Sequence, residues 1–490
     1  MAERMLKFVA VPRQTPQKRA AEDRREDFLE VYGDFVDAKA AEQAARCSQC
    51  GVPFCQTHCP LHNNIPDWLR MTAEGRVREA YELSAATSTM PEICGRICPQ
   101  DRLCEGSCVI EQAGFGTVTI GSVERWITDR AWAEGWVAPI VPHLNEGRER
   151  AQSIGIVGAG PAGLSAAEAL RTRGYQVTVY DRYDRAGGLL IYGIPGFKLE
   201  KEVVERRTRR LAEGGVAFKL NFEVGRDGSL ADLRARYDAV LIATGVYKPR
   251  EIAVPGVGAA GVVEAMDYLT ASNRVGLGDA APAFADGRLD ARGKDVVIVG
   301  GGDTAMDCLR TAIRQDARSV TCLYRRDRAN MPGSMREVGN AEEEGVRFEW
   351  LAAPRFLRTS VVLGGAERVT GVRAARMRSA APDATGRQTP EVVEGCDFDL
   401  PAQLVVKALG FDPHDLPAAF GAPDLRVSRW GTVKVGLRTM MTDLPGVFAA
   451  GDIVRGASLV VWAIRDGLDA AEAMHGWLDA QAAPALLAAE

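Results

Sequence analysis

The stretch Ser153 to Asp181, SIGIVGAGPAGLSAAEALRTRGYQVTVYD, leaves the chain little choice of fold at its centre. Ile154 to Val157 is a short apolar run suited to a buried parallel strand, and Gly158-Ala159-Gly160-Pro161-Ala162-Gly163 follows at once and opens a helix. Each glycine has a separate steric reason. Gly158 permits the tight turn, Gly160 leaves space for a pyrophosphate beside the backbone, and Gly163 lets helix and strand pack closely while the helix N-terminus faces the phosphates. Gly174 ends the helix, Tyr175 to Tyr180 reads as the next strand, and Asp181 stands roughly 20 residues on, where a carboxylate accepts hydrogen bonds from an adenosine ribose. Strand, turn, helix, strand and acid in one register predict a dinucleotide-binding βαβ unit, read here as the seat of FAD.

At 490 residues the chain exceeds what one core can organise, which predicts roughly three domains. Its 46% hydrophobic and 26% charged residues are those of an ordinary globular protein, and a net charge of -5 gives no reason to expect nucleic acid. No apolar run reaches the ~18 residues that would suggest a membrane span. The first residues, MAERMLKFVAVPRQTPQKRAAEDRRED, mix acids with bases and hold no apolar signal core, so a cytoplasmic protein is expected.

Eight of the eleven cysteines lie between Cys47 and Cys108, and such clustering in a reducing compartment favours metal over disulfides. Ahead of them a helix is expected from Ala20 to Ala45. The two runs are Cys47-x2-Cys50-x4-Cys55-x3-Cys59 and Cys94-x3-Cys98-x5-Cys104-x3-Cys108. Turns at Gly51, Pro53, Pro60, Gly95 and Pro99 let a short chain bend around iron and sulfide, with thiolates as soft ligands. Eight thiols suggest two [4Fe-4S] clusters with interlocked runs; structural zinc and a disulfide framework are the alternatives. His58, inside the first run, reads as a solvated loop residue.

Beyond a linker at Ala131 to Arg150, the segment Arg185 to Lys198 is glycine-rich enough for backbone to run against a flat ligand, with Gly188, Leu189 and Lys198 as candidates, or it is a plain loop. Ala239 to Gly245 is a buried strand ending in Thr244 and Gly245, which suits a second contact with the dinucleotide. A second fingerprint begins at Asp295: a strand, then Gly300-Gly301-Gly302-Asp303-Thr304-Ala305, a helix, and a strand Val320 to Tyr324. There Arg325-Arg326 replace the ribose-binding acid, so this site should take the 2′-phosphate of NADPH in preference to NADH; the plainer alternative is two solvated arginines. Cys308 and Cys322 read as buried core, and no dithiol lies near either fingerprint, which counts against a disulfide reductase.

Near the end, Pro445 to Asp452 is another buried strand, with Gly451 and Asp452 placed for a flavin's ribityl chain. A helical run from Ala457 follows, containing Val460, whose N-terminus would stabilise negative charge on a reduced ring. The expected architecture is α/β: two Rossmann-like nucleotide-binding domains, the NADPH domain inserted in the FAD domain, preceded by a mainly α-helical, ferredoxin-like two-cluster iron–sulfur domain. Its expected bounds are 1–145 for the iron–sulfur domain, 151–287 with 411–490 for the FAD domain, and 288–410 for the NADPH domain, with Gly410 at the return crossing. Hydride transfer needs nicotinamide stacked near flavin and little acid–base help, so Asp303 and Thr304 are read as positioning residues and no catalytic acid or base is assigned.

Taken in order, RCSQCGVPFCQTHCPLHNNIP, PEICGRICPQDRLCEGSC, GAGPAGL, GGLLIYGIPGFKL, GGGDTAMDC, LYRRD and GVFAAGD resemble the small (β) subunits of bacterial NADPH-dependent glutamate synthases over nearly the whole chain. The resemblance implies that NADPH passes hydride to FAD and that electrons leave singly through the clusters to FMN in a large α subunit. That subunit converts glutamine and 2-oxoglutarate to glutamate, so a hetero-oligomer is implied. Met1 and Ala2 stand where such amidotransferases carry an N-terminal cysteine, so this chain alone is expected to reduce artificial acceptors and make no glutamate. Related modules serving ferredoxin or a pyrimidine-reducing subunit are the alternative; intact Gly300, Gly302 and Arg325 argue against a non-catalytic subunit. Lys198 stands where relatives carry arginine, and Asp181 replaces the commoner glutamate. The second cysteine run also resembles the N-terminal domain of dihydropyrimidine dehydrogenases. That likeness implies one cluster on Cys47, Cys50, Cys55 and Cys108, and another on Cys59, Cys98, Cys104 and Glu124, where those enzymes use glutamine; Cys94 is the alternative eighth ligand.

Overall fold

The computed structural model describes residues 3–361, 365–381 and 388–487. The N-terminal third is helical, with α1 Ala21–Arg25, α2 Asp37–Ala44, α3 Phe54–Thr57, α4 Ile65–Ala73, α5 Val77–Ala85, α6 Pro91–Ile97, α7 Val109–Gln112 and α8 Ile120–Ala133. Ile65, Trp68, Leu69 and Ala73 recur at helical spacing on α4 and are fully buried, joining Val123 and Ile127 of α8 in one core. The α6–α8 crossing depends on small residues: a Cβ on Gly95 would stand 2.8 Å from the Gly121 carbonyl, and one on Gly121 would stand 3.0 Å from the Gly95 carbonyl.

The expected helix from Ala20 to Ala45 is corrected to the short α1 and α2, separated by an extended passage. Tertiary contacts outweigh local propensity there. Lys18 bridges Tyr32, the Val31 amide donates to the Phe197 carbonyl at 3.2 Å, and buried Glu30 accepts from Arg96 at 2.8 Å and pairs with Arg125 at 3.2 Å. A continuous helix would leave that carboxylate unpaired.

The first parallel sheet takes β1 Ser153–Val157, β2 Gln176–Tyr180, β3 Ala217–Lys219 and β4 Ala239–Ile242, covered by α9 Pro161–Thr172, α10 Leu189–Tyr192, α11 Lys201–Glu213 and α12 Leu230–Arg236. The chain leaves through β5 Lys248–Pro249 into β6 Val262–Glu264, α13 Ala265–Gly276, α14 Pro282–Ala285, β7 Asp295–Val299, α15 Asp303–Arg314, β8 Ser319–Tyr324, α16 Met335–Glu343 and β9 Arg347–Trp350. An antiparallel trio, β10 Ala352–Val361, β11 Glu367–Ser379 and β12 Pro390–Pro401, precedes β13 Leu404–Lys407. Its apolar face, with Leu357, Val372 and Leu400, packs on Val297 and Leu323 of the second sheet. The chain returns through β14 Phe411–Asp412, which pairs antiparallel with β5, and finishes with α17 Leu416–Ala419, β15 Val447–Ala449, α18 Asp452–Arg455 and α19 Val460–Leu487.

The sheets share one plan: β15-β4-β1-β2-β3 and β6-β13-β7-β8-β9. β15 joins the first sheet from the far end of the chain, so that domain is discontinuous. β6 holds in the second sheet the place that β15 holds in the first, which corrects the expected start of the inserted domain at 288. The boundary lies before Val262, because β6 pairs in parallel with β13.

Helix α19 lies on α9 at backbone distance. A Cβ on Gly467 would stand 2.2 Å from the Ala162 carbonyl oxygen. Glycine to alanine inside a helix ordinarily gains up to about 1 kcal/mol; here overpacking should reverse the sign, and Gly467→Ala is expected to cost about 1 to 3 kcal/mol. Thermal unfolding checks it, and a raised midpoint would show that the crossing tolerates the methyl group.

Candidate functional site

The first site forms at the C-terminal ends of β1, β2 and β4. Gly158 has φ +112°, and a Cβ there would meet the Ala243 carbonyl at 2.3 Å. A Cβ on Gly163 would meet the Gly158 carbonyl at 1.9 Å, whereas one on Gly160 would have no neighbour within 4 Å. The turn is thus pinned on two sides and open on the third, ahead of an α9 that begins at Pro161 and Ala162. Asp181 accepts from the amides of Ala159 at 2.7 Å and Tyr183 at 2.9 Å, so its carboxylate also fastens the turn; burial raises its pKa against those two donors.

Asp181, Gly158, Thr244 and Gly245 line a cavity of about 300 Å³. The Thr244 Oγ1 is buried there without a hydrogen-bond partner. Gly188 closes over the same turn, since a Cβ on it would stand 3.0 Å from the Gly160 Cα, and half-buried Leu189 opens α10. Gly451 approaches from the other side, 2.9 Å from the Ala162 Cβ by the same measure. Asp452 and Val460 begin α18 and α19, and burial pushes the Asp452 carboxyl up to about 6. An open turn, a cradle without side chains and an orphaned hydroxyl fit a dinucleotide such as FAD.

The Lys198 amino group donates to Asp307 of α15 at 2.8 Å and lies 4.0 Å from Glu337, so it ties the glycine-rich loop to the second domain. Asp307 is a buried carboxylate that needs this cation.

The second site repeats the first. Gly300 has φ +148°, and its Cβ would meet the Ala408 carbonyl at 2.2 Å. A Cβ on Gly301 would strike the Tyr324 ring at 2.4 Å, and Gly302 faces open space. Asp303 and Thr304 form the first turn of α15, and Asp303 accepts from the Ser334 amide at 3.0 Å. Arg325 and Arg326 follow β8, and neither pairs with a carboxylate among the described residues; the Arg326 Nε is buried without a partner. Two uncommitted guanidinium groups beside an open turn fit a nucleotide carrying an extra phosphate. Gly410, φ +89°, accepts from the Arg250 amide at 3.0 Å and so marks the crossing itself.

The cysteines fall into two sets. Burial and the nearby Cys47, Cys108 and Cys50 push the Cys55 thiol up to about 12. The other set lines a cavity of about 30 Å³ holding Cys59, Cys94, Cys98, Cys104, Glu124 and, from α19, Val461. Glu124 is buried without a cation, and its Oε1 accepts from Asn63 at 3.3 Å and Ser84 at 3.2 Å. Cys94 and Glu124 both reach this cavity. Buried thiols raised by desolvation fit a site where metal supplies the compensating charge. His58 is exposed and bonds only its own turn, and Cys308 and Cys322 are fully buried and unpaired.

Several neighbours carried no readable signal because they act across the fold. Tyr247 packs 6.4 Å from the Tyr183 ring with the Arg182 guanidinium 4.5 Å above it, at the mouth of the first cavity. Asn63 and Ser84 hold Glu124, and Val461 reaches the thiols.

Residues 24–136 match the family described as dihydropyrimidine dehydrogenase domain II, 4Fe-4S cluster, and residues 152–467 match the pyridine nucleotide-disulphide oxidoreductase family. The glutamate synthase [NADPH] small chain of Azospirillum brasilense is 63% identical over 489 residues, 100% of this chain and 99% of that one. This chain belongs to the glutamate synthase [NADPH] small-chain family. The small chain of Escherichia coli K12 is 43% identical over 486 residues, covering 98% and 100% of the two chains. Mycobacterium tuberculosis FprA in complex with NADPH shares the fold at 20% identity and a TM-score of 0.57, covering 69% of this chain and 86% of that one. Like its family, this small chain is an NADPH-dependent oxidoreductase with an iron–sulfur domain ahead of a flavoprotein-type fold. No helix among the described residues is long and apolar enough to cross a membrane.

Proposed function

We propose that this chain is the NADPH-oxidising subunit of a glutamate synthase. It would hold FAD in the first domain, NADPH in the second and two [4Fe-4S] clusters in the helical domain, and serve a large subunit that carries FMN and makes glutamate from glutamine and 2-oxoglutarate. One observation carries the reading: helix α19 touches both candidate sites, with Val461 lining the cavity of Cys59, Cys98 and Cys104 and Gly467 lying against the Ala162 carbonyl of the first glycine-rich turn. A single helix therefore links the two candidate redox sites. FAD, when bound, accepts a hydride and releases electrons one at a time. The protein's part is placement. Gly158 to Gly163, Asp181, Thr244, Gly245, Gly451 and Asp452 orient the flavin dinucleotide, while Gly300 to Thr304 with Arg325 and Arg326 orient the nicotinamide nucleotide. No acid or base is required of the protein for hydride transfer.

Arg325→Ala tests the second site. It is expected to weaken NADPH binding by about ten- to a hundredfold, the worth of a charged contact of ~1.5 to 3 kcal/mol, and to leave NADH binding far less affected. Equal losses for both nucleotides would contradict a 2′-phosphate contact.

A further inference from the structure

Residues 331–334 of the second domain lie on its glycine-rich turn. The Gly333 amide donates to the Gly301 carbonyl at 2.9 Å, the Ser334 amide donates to Asp303 at 3.0 Å, and a Cβ on Gly333 would stand 3.2 Å from the Gly301 oxygen. The segment belongs to no helix or strand before Met335. Pro332 has no amide to donate and Gly333 restricts the backbone little, so few bonds within the second domain hold the loop and added contacts count.

Those added contacts come from the cysteine-rich domain. The Arg102 guanidinium gathers three successive carbonyls, donating to Met331 at 2.8 Å, to Gly333 at 2.7 Å and to Pro332 between them. Asp101 accepts from the Ser334 hydroxyl at 3.2 Å. Gln100 accepts from Arg336 at 2.7 Å while its own amide donates to the carbonyls of Cys94 at 3.2 Å and Gly95 at 3.0 Å. Asp101 and Arg102 thus hold the loop that rests on the nucleotide turn, and Gln100 holds the first turn of the helix that follows it.

We infer that Arg102 is a positioning residue for nicotinamide-nucleotide binding, so that the loop carrying the cluster cysteines sets the affinity of the second domain for its ligand. The inference rests on the proposed reading of that domain as the NADPH site. The coupling runs both ways: nucleotide binding must favour the ordered cysteine loop by the same free energy with which that loop favours nucleotide.

The test uses the full-length oxidised protein with 2′,5′-ADP as the probe, which carries both phosphates and no reactive ring. Calorimetry gives its affinity, and hydrogen exchange reads the amides of Gly333 and Ser334. Arg102→Ala is expected to weaken 2′,5′-ADP at least tenfold and to speed exchange at both amides, with flavin content retained. Arg336→Met loosens the neighbouring contact of the same interface, to Gln100, from the second domain, and is expected to act in the same direction; it decides the matter if Arg102→Ala loses iron. Affinities within twofold of the parent, or weaker binding with unchanged exchange, overturn the inference while leaving the site reading intact. A parent protein that does not bind 2′,5′-ADP overturns the site reading itself, and the inference with it.

Discussion

Removing the carboxylate of Glu92 is expected to cost about 3 to 5 kcal/mol, the usual penalty for leaving one half of a buried ion pair uncompensated. Glu92 sits on α6, two residues from Cys94, and accepts from Arg207 of α11 at 2.7, 2.8 and 3.0 Å. Both side chains are buried, Glu92 at 0% and Arg207 at 3% exposure, so water cannot replace the lost partner. The pair fastens the helical domain to the first Rossmann-like domain. Glu92→Ala should therefore lower the denaturation midpoint and release the helical domain first, seen as faster proteolysis between residues 1 and 150. Replacing both partners with methionine should restore most of the loss, because an apolar pair of similar volume carries no buried charge. A Glu92→Ala protein within 1 kcal/mol of the parent would show that the pair is not what holds the domains together.

The second large effect concerns the iron. Glu124→Ala is expected to leave about half the iron, one [4Fe-4S] cluster instead of two, whereas Cys94→Ser should leave both assembled. Glu124 is a buried carboxylate with no cation beside it, oriented by Asn63 and Ser84 into the cavity of Cys59, Cys98 and Cys104. Such a group is costly to bury unless something positive meets it. An oxygen ligand should also shift that cluster's potential relative to an all-thiolate one. Iron analysis and the spectra of the reduced clusters decide between the two. If they respond to Cys94→Ser and ignore Glu124→Ala, the cluster has four thiolate ligands and the carboxylate is a packing group.

What could be read from the chain was whatever is enforced locally. Gly163 is demanded by the Gly158 carbonyl of its own turn, and the fingerprint spacing announces both turns even though the carbonyls that crowd Gly158 and Gly300 come from the distant Ala243 and Ala408. Cysteine spacing marks two runs, but only the resemblance to dihydropyrimidine dehydrogenases divides Cys55 from Cys59 within the first run, and the structure places these two in different sets. What could not be read depends on distant partners. Lys198 finds Asp307 109 positions away, and no local pattern announces that partner. Gly467 looks like an indifferent helix glycine until α9 is laid beside it. Val262–Glu264 is too short to announce itself as a strand, so the second domain's boundary was placed too late. The antiparallel trio stands between β9 and β13, where a helix would be the usual crossover, and neither glycine-rich fingerprint foretells it.

The ribbon of β5 and β14 pairs Lys248 with Asp412 and Pro249 with Phe411, so the inserted domain hangs from the rest of the chain by one narrow strip. A load suspended from a single strip can twist. Further braces stop it, among them Lys198 to Asp307, Arg24 to Glu343 at 2.7 Å, and Arg102 to the carbonyls of residues 331–333. Strip and braces together make a truss in which the distance between the two glycine turns is fixed in advance. Swinging the domain open would have to break these braces together with the strip, so the two domains resist separation as one unit instead of yielding contact by contact.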